Sequence, residues 1–335
     1  MSSANALRWD GSPGHYEVWY LTLTDPASGT GVWIRYTLHA PLDGAGERAE
    51  SALWLLAMAP DGDRFARKQT FPASELEAHD DPFRLCLAGA DLSDRGAAGA
   101  LDGGAWELSW EPRLAPYEFV HPLVRRTGAA QTELVLPHAD LVISGTVRLG
   151  GRVLELDGAR GGQAHLWGTR HAARWAWTHA SDLHGTDGVA RPDTFVDAVS
   201  VYVERLGREL GPSTPVVGRF RGDDFAATSP VALARARSRF GLSTWRFEAR
   251  DGKRRIKGEV DAPRETLAGV TYHDPDGRPA YCYNSEVASI RLSVFDRTAR
   301  GRFGWMLRDT LVARGRAHFE YGQRASVADV ELLLP

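Results

Sequence analysis

The residues best equipped for chemistry crowd one stretch, 161–182, which holds His165, Trp167, His171, Trp175, Trp177 and His179. Alternate side chains of an extended strand point the same way. His165 and Trp167 would therefore share a face, as would Trp175, Trp177 and His179. Aromatic faces lining a cavity can stabilise a cation; the same tryptophans could equally be plain core. The next strand, 194–204, sharpens the choice. Phe195, Val199, Val201 and Val203 share one face, and Asp197 lies in register with them. Burial raises a carboxyl pKa and favours its protonated form. An acid of that kind beside aromatic rings suits acid-initiated chemistry on an alkene. A backbone amide or one of the many arginines could instead pair Asp197. A second cluster lies further on: Cys282, Asn284 and Glu286 share a face with Ala288, Ile290 and Leu292. Polar groups in an apolar row suit a ligand pocket or a buried polar network. His318 and Glu320 alternate with Ala317, Phe319 and Tyr321 and are expected to face solvent.

The elements that must position these residues read mostly as strands. Val32, Ile34, Tyr36 and Leu38 share one face; so do Trp106, Leu108 and Trp110, with Glu107, Ser109 and Glu111 opposite. Leu141, Ile143, Gly145, Val147 and Leu149 form another row. This is the period-2 pattern of antiparallel strands with a buried face. Turn signals separate the runs at Gly150-Gly151, Asp251-Gly252 and Asp274-Pro275-Asp276-Gly277. Helical pieces are expected to be few and short, with 73–80 and 231–240 the best candidates. Many evenly spaced strands imply a sandwich or barrel architecture. Loop-like sequence at 182–192 suggests two domains, 1–185 and 186–335. A faint echo between Leu166-Trp167-Gly168-Thr169-Arg170 and Glu320-Tyr321-Gly322-Gln323-Arg324 suggests related halves.

Composition excludes other classes. The 335 residues carry 40 Lys+Arg against 43 Asp+Glu, a net charge of −3, which argues against a dedicated nucleic-acid partner. No apolar run reaches the roughly 20 residues of a spanning helix, so no integral membrane insertion is expected. Residues 1–14 lack the basic and apolar regions of a signal peptide, and a cytoplasmic location is expected. The 2 cysteines, Cys86 and Cys282, make neither a disulfide framework nor a four-cysteine zinc site. The histidines of 165–184 fit no standard zinc spacing, and no metal site is expected. Phosphate-loop, dinucleotide-binding and serine-hydrolase signatures are absent. A carbohydrate-active protein would need an opposed carboxylate pair, and none stands out.

The run Pro137 … Gly145-Thr146-Val147 … Gly151 … Gly158 … His165-Leu166-Trp167-Gly168 resembles the lipocalin-like hydroxyneurosporene synthase family. Carotenoid 1,2-hydratases belong to that family, and tocopherol cyclases and lipocalin-like Diels–Alderases look like its relatives. His15-Tyr16-Glu17-Val18-Trp19-Tyr20 and Trp33-Ile34-Arg35-Tyr36-Thr37 look like its first strands. The resemblance implies an all-β chain of two tandem lipocalin-like antiparallel β-barrels, with a pocket between or within them. It implies an apolar isoprenoid- or polyketide-like substrate and no cofactor. Asp197 and His165 would then be catalytic, with Trp167, Trp175, Trp177, Phe195, Asn284 and Glu286 lining the substrate. Two positions depart from the family: Phe195 stands where Tyr is expected, and Ala164 where Asp precedes the His. The activity implied is hydration or cyclisation, by alkene protonation or by holding the substrate in a reactive conformation. The alternative is a non-catalytic carrier of an apolar molecule.

Overall fold

The alternating runs become strands, and two large antiparallel sheets account for nearly all of them. The computed structural model describes residues 4–43, 48–126, 131–205, 207–298 and 304–335. The first sheet holds β1 (His15–Thr24), β2 (Gly31–Ala40), β3 (Glu50–Met58), β4 (Arg64–Pro72), β5 (Leu76–Asp80) and β6 (Phe83–Leu87). It continues with β7 (Ala90–Ser93), β8 (Gly96–Leu101), β9 (Gly104–Ser109), β10 (Tyr117–Glu118), β11 (Thr132–Leu149) and β12 (Arg152–Gly168). The second begins with β13 (Arg174–Ala180), β14 (His184–Gly185), β15 (Phe195–Arg205), β16 (Arg208–Ser213), β17 (Val216–Phe220) and β18 (Asp223–Ala227). It ends with β19 (Arg237–Phe240), β20 (Thr244–Arg250), β21 (Arg254–Asp261), β22 (Ala268–His273), β23 (Pro279–Arg297), β24 (Trp305–Gln323) and β25 (Leu332–Leu334). Among the described residues there are also two short helices, α1 (Pro122–Arg126) and α2 (Pro230–Arg235).

The sheets share one plan. The first runs β2-β1-β12-β11-β9-β8-β7 through its middle; the second runs β15-β13-β24-β23-β21-β20-β19. The echo noted in the sequence thus falls on equivalent strands, β12 and β24. The changeover lies between Gly168 and Arg174, so β13 and β14, although before residue 186, pair within the second sheet. Each barrel-shaped sheet is filled by its own side chains. Trp19, Tyr36, Leu55, Leu85 and Trp106 pack inside the first; Phe225, Trp245, Phe247, Tyr283 and Phe319 pack inside the second. Such filling suits barrels of this size. A third apolar cluster, including Tyr20, Trp33, Trp54, Trp177, Phe195 and Val270, joins the outer faces of the two sheets.

Both helical expectations need correction. Within 73–80 only Ala73–Glu75 makes a single 3-10 turn before β5 begins, and within 231–240 helix α2 ends at Arg235 before β19. In both places the chain pairs with a neighbouring strand (β5 with β6, β19 with β20), and tertiary pairing overrides the local helical pattern. The solvent-facing expectation for His318 and Glu320 is also corrected. Both are buried, because the face opposite Phe319 and Tyr321 packs on the first sheet.

Candidate functional site

A cavity of about 300 Å³ opens where the outer faces of the two sheets meet. Period-2 alternation decides which side chains reach it. On β1, Glu17, Trp19 and Leu21 are buried away from it, while Tyr16, Val18 and Tyr20 line it. On β12 it is Leu166, between His165 and Trp167, that lines the cavity. The second sheet contributes Trp175 and Trp177 from β13, Val199 and Val201 from β15, and Glu320 from β24. Val124 of α1 and Leu233 of α2 add apolar lining. Mainly apolar walls with a few convergent polar groups are the ordinary form of a small-molecule site.

One polar group of the lining is a buried ion pair that joins the sheets. The Arg35 guanidinium of β2 donates to the Glu320 carboxylate of β24 and to the Tyr272 hydroxyl of β22. Their side chains are only 5% and 10% exposed, so water screens the pair little. Arg35 also lies over the rings of Trp33 at 3.9 Å, Tyr272 at 5.0 Å and Tyr20 at 5.3 Å. Burial pushes the Tyr20 and Tyr272 hydroxyls well above their usual range, so both stay protonated.

A second polar group faces the same space. His171, in the link between β12 and β13, lies parallel to the Tyr16 ring at 4.5 Å and the Tyr272 ring at 5.4 Å. Its Nδ1 lies 2.7 Å from Oδ1 of Asp274, which also accepts the His171 backbone N–H at 2.8 Å. Arg324 reaches the other carboxylate oxygen at 2.7 Å. Burial would raise the Asp274 pKa, but the His171 bonds and the Arg324 charge outweigh it and hold the carboxyl below its usual range. Asp274 is therefore ionised, and His171 Nδ1–H donates to it.

Asp197 lies one layer behind the cavity. It accepts the Trp177 indole N–H at 3.0 Å and pairs with His179 Nδ1 at 3.0 Å. Burial, opposed by these bonds, raises its pKa. Next to it His318 pairs with Glu286 at 2.6 Å, and the His179 and His318 rings are 6.4 Å apart. Gly162 passes so close that an added Cβ would fall 2.7 Å from the His179 ring.

Of the residues singled out in the sequence, Trp175 and Trp177 line the cavity. Asp197 is not in the lining but bonds Trp177, which is, and Phe195 packs edge-on to Tyr117 at 5.2 Å. Glu286 belongs to the buried pair with His318. Asn284 is fully buried in register with Glu320, and neither atom of its amide has a hydrogen-bond partner. His165 points to the other side of β12. Its ring bonds Glu17 and the Ala4 carbonyl, both at 2.8 Å, and stacks on Trp19. Glu17 in turn takes the backbone N–H groups of Arg8 and Trp9, so these residues clamp the N-terminal segment to the first sheet. Trp167 tilts against His165, and the Arg8 guanidinium lies over the Trp167 ring at 5.0 Å. Sequence reasoning assigned no site role to Arg35, Tyr272 or Asp274, counted His171 among the residues of the histidine-rich stretch without a role, and placed Glu320 in solvent. The signal available for Arg35 was a cation in an otherwise uncharged strand, β2.

Comparison with known proteins gives a family for this chain. The uncharacterized proteins Rv0493c and MT0513 of two Mycobacterium tuberculosis strains are each 33% identical to this chain over 334 residues, covering 97% of it and 92% of their own length. The chain belongs to their family. No family model matches it. Among solved structures, CghA superposes with a TM-score of 0.58 at 10% identity, covering 97% of this chain and 92% of that one. A putative AttH from Nitrosomonas europaea gives 0.56 at 12%, covering 97% and 100%. Kievitone hydratase from Nectria haematococca gives 0.50 at 8%, covering 92% and 89%. These likenesses extend over both sheets, so this chain shares the two-barrel lipocalin-like fold with them.

Proposed function

We propose that the protein is a cofactor-independent enzyme of the hydratase or cyclase type, acting on an apolar isoprenoid- or polyketide-like molecule held between its two barrels. The observation that carries this reading is the interface cavity: apolar walls, the rings of Trp175 and Trp177, and the buried Arg35–Glu320–Tyr272 group in a single lining. The walls would fold the substrate into a reactive shape, and orientation alone supplies a large share of such acceleration. The fold shared with kievitone hydratase and CghA supports the same class. Asp197 acts as a positioning residue in this scheme, fixing Trp177 from behind. It is not in direct reach of the substrate.

The test starts from the purified protein, by native mass spectrometry and solvent extraction. A stoichiometric apolar compound is expected, and it should be converted on prolonged incubation. Asp197→Asn should lower turnover by less than about tenfold, because the amide oxygen still accepts from Trp177; a complete loss would instead make Asp197 the proton donor. Tight binding without turnover would make the protein a carrier. Failure to bind any apolar compound would sink both readings.

A further inference from the structure

The geometry points to His171 as the catalytic general base of the cavity, oriented by Asp274, and to a substrate bearing an acidic C–H beside a carbonyl. This inference rests on the cavity being the substrate site and adds the reaction that starts there. Three observations carry it. His171 lines the cavity, with its side chain 17% exposed. Its Nδ1 is committed to a fully buried, ionised Asp274, which fixes the tautomer and leaves the Nε2 lone pair as the free basic site. Its ring is held in plane between Tyr16 and Tyr272, so its direction is set before any ligand arrives.

An imidazole oriented by a carboxylate is the usual arrangement for moving a proton near neutral pH. The opposite electrostatic partner is at hand, because the Tyr272 ring that stacks on His171 also carries the hydroxyl held by Arg35. A carbonyl oxygen toward Arg35 and Tyr272 would place its neighbouring C–H on the His171 side. The step transfers the C–H proton to Nε2 and leaves the electron pair on the carbonyl oxygen as an enolate. Ring closure or reprotonation at another atom then completes the reaction and returns the proton. No co-reactant is required.

The test uses the whole protein with nitrobenzisoxazole, an apolar probe that reports a positioned base. The base takes the ring C–H proton, the electrons form a nitrile, and the N–O bond breaks to release a coloured cyano-nitrophenolate. The wild-type protein should exceed the rate of free imidazole at equal concentration, and His171→Gln should lose at least about tenfold. Binding of anilinonaphthalene sulfonate, read by fluorescence, checks that the cavity of the variant is intact. Asp274→Asn should lose part of the rate and displace the pH profile. The groups facing His171 are Asp274 and Arg324, the Tyr16, Tyr272 and Trp175 rings, and the neighbouring Arg170–Asp276 pair. Carbethoxylation of wild-type His171, mapped by mass spectrometry, should be blocked by the dye. A wild-type rate no better than imidazole, an unchanged rate in His171→Gln, or an unreactive His171 in the folded protein would overturn the assignment. Loss of dye binding by the wild-type protein would fail the cavity reading itself.

Discussion

Arg35 and Glu320 show how much one residue pair can carry when both members leave water. Each charge is stable in the interface only because the other is there. Glu320→Gln strands the guanidinium and should cost about 3–5 kcal/mol, measured by urea unfolding. The double variant Arg35→Met with Glu320→Leu should recover most of that loss, since apolar replacements of a buried pair are often neutral. Equal destabilisation of the double and single variants would show that the pair is not the source. Acid stability follows from other carboxylates. Burial raises Glu17, but its bonds from His15, His165 and the Arg8 amide outweigh that and lower its pKa; Asp274 is lowered too. A depressed carboxyl contributes stability that is full above the unfolded value, about 4, and is lost as pH falls through the folded value. Unfolding free energy should therefore decline below about pH 4, and less steeply in Glu17→Gln; parallel curves would contradict this. These residues were poorly legible in the sequence for a physical reason. Asp274 reads as the start of an Asp-Pro-Asp-Gly turn, which it is, and nothing local tells that His171 folds onto it from 103 positions away.

Strands were the legible elements. Trp106, Leu108 and Trp110 are buried while Glu107, Ser109 and Glu111 are exposed, as the alternation demands. The pairing of Leu149 with Arg152 closes the hairpin at the Gly150-Gly151 signal. The alternation could not tell that both faces of β13 and β24 are covered, one by the second core and one by the other barrel. For that reason the pattern alone puts Glu320 in solvent, where the structure buries it. The close fit of these strands rests on small residues. Gly322 lies beside Trp175, and a Cβ there would fall 2.1 Å from the indole. Gly322→Ala must push that ring toward the cavity it lines. The expected result is a loss of about 1–3 kcal/mol in thermal or urea unfolding together with weaker dye binding. Unchanged dye affinity would mean that Trp175 yields in some other direction.

At the scale of the molecule, the two barrels have one plan but are not independent bodies. Gly31 of β2 runs so close to β23 that an added Cβ would sit 2.0 Å from the Glu286 carbonyl oxygen. The Glu286 amide meets Met58 Sδ at 3.3 Å, Leu42 donates its N–H to the Pro275 carbonyl, and Arg64 reaches the Leu267 carbonyl. Around these contacts the third apolar cluster draws side chains from both sheets, so either barrel alone would expose aromatic surface. Unfolding should therefore be a single transition, in which far-UV circular dichroism, tryptophan fluorescence and cavity-dye release coincide in urea. The same coupling predicts that saturating dye raises the midpoint of the whole transition, since a ligand bound across the interface stabilises both halves at once. Two resolved transitions, with the dye shifting only one, would show that the barrels fold separately and that the cavity belongs to one of them. The expected outcome ties function to architecture: side chains fill both barrel interiors, the seam between them holds a mainly apolar cavity, and the groups that could act on a ligand there are supplied from both sides of that seam.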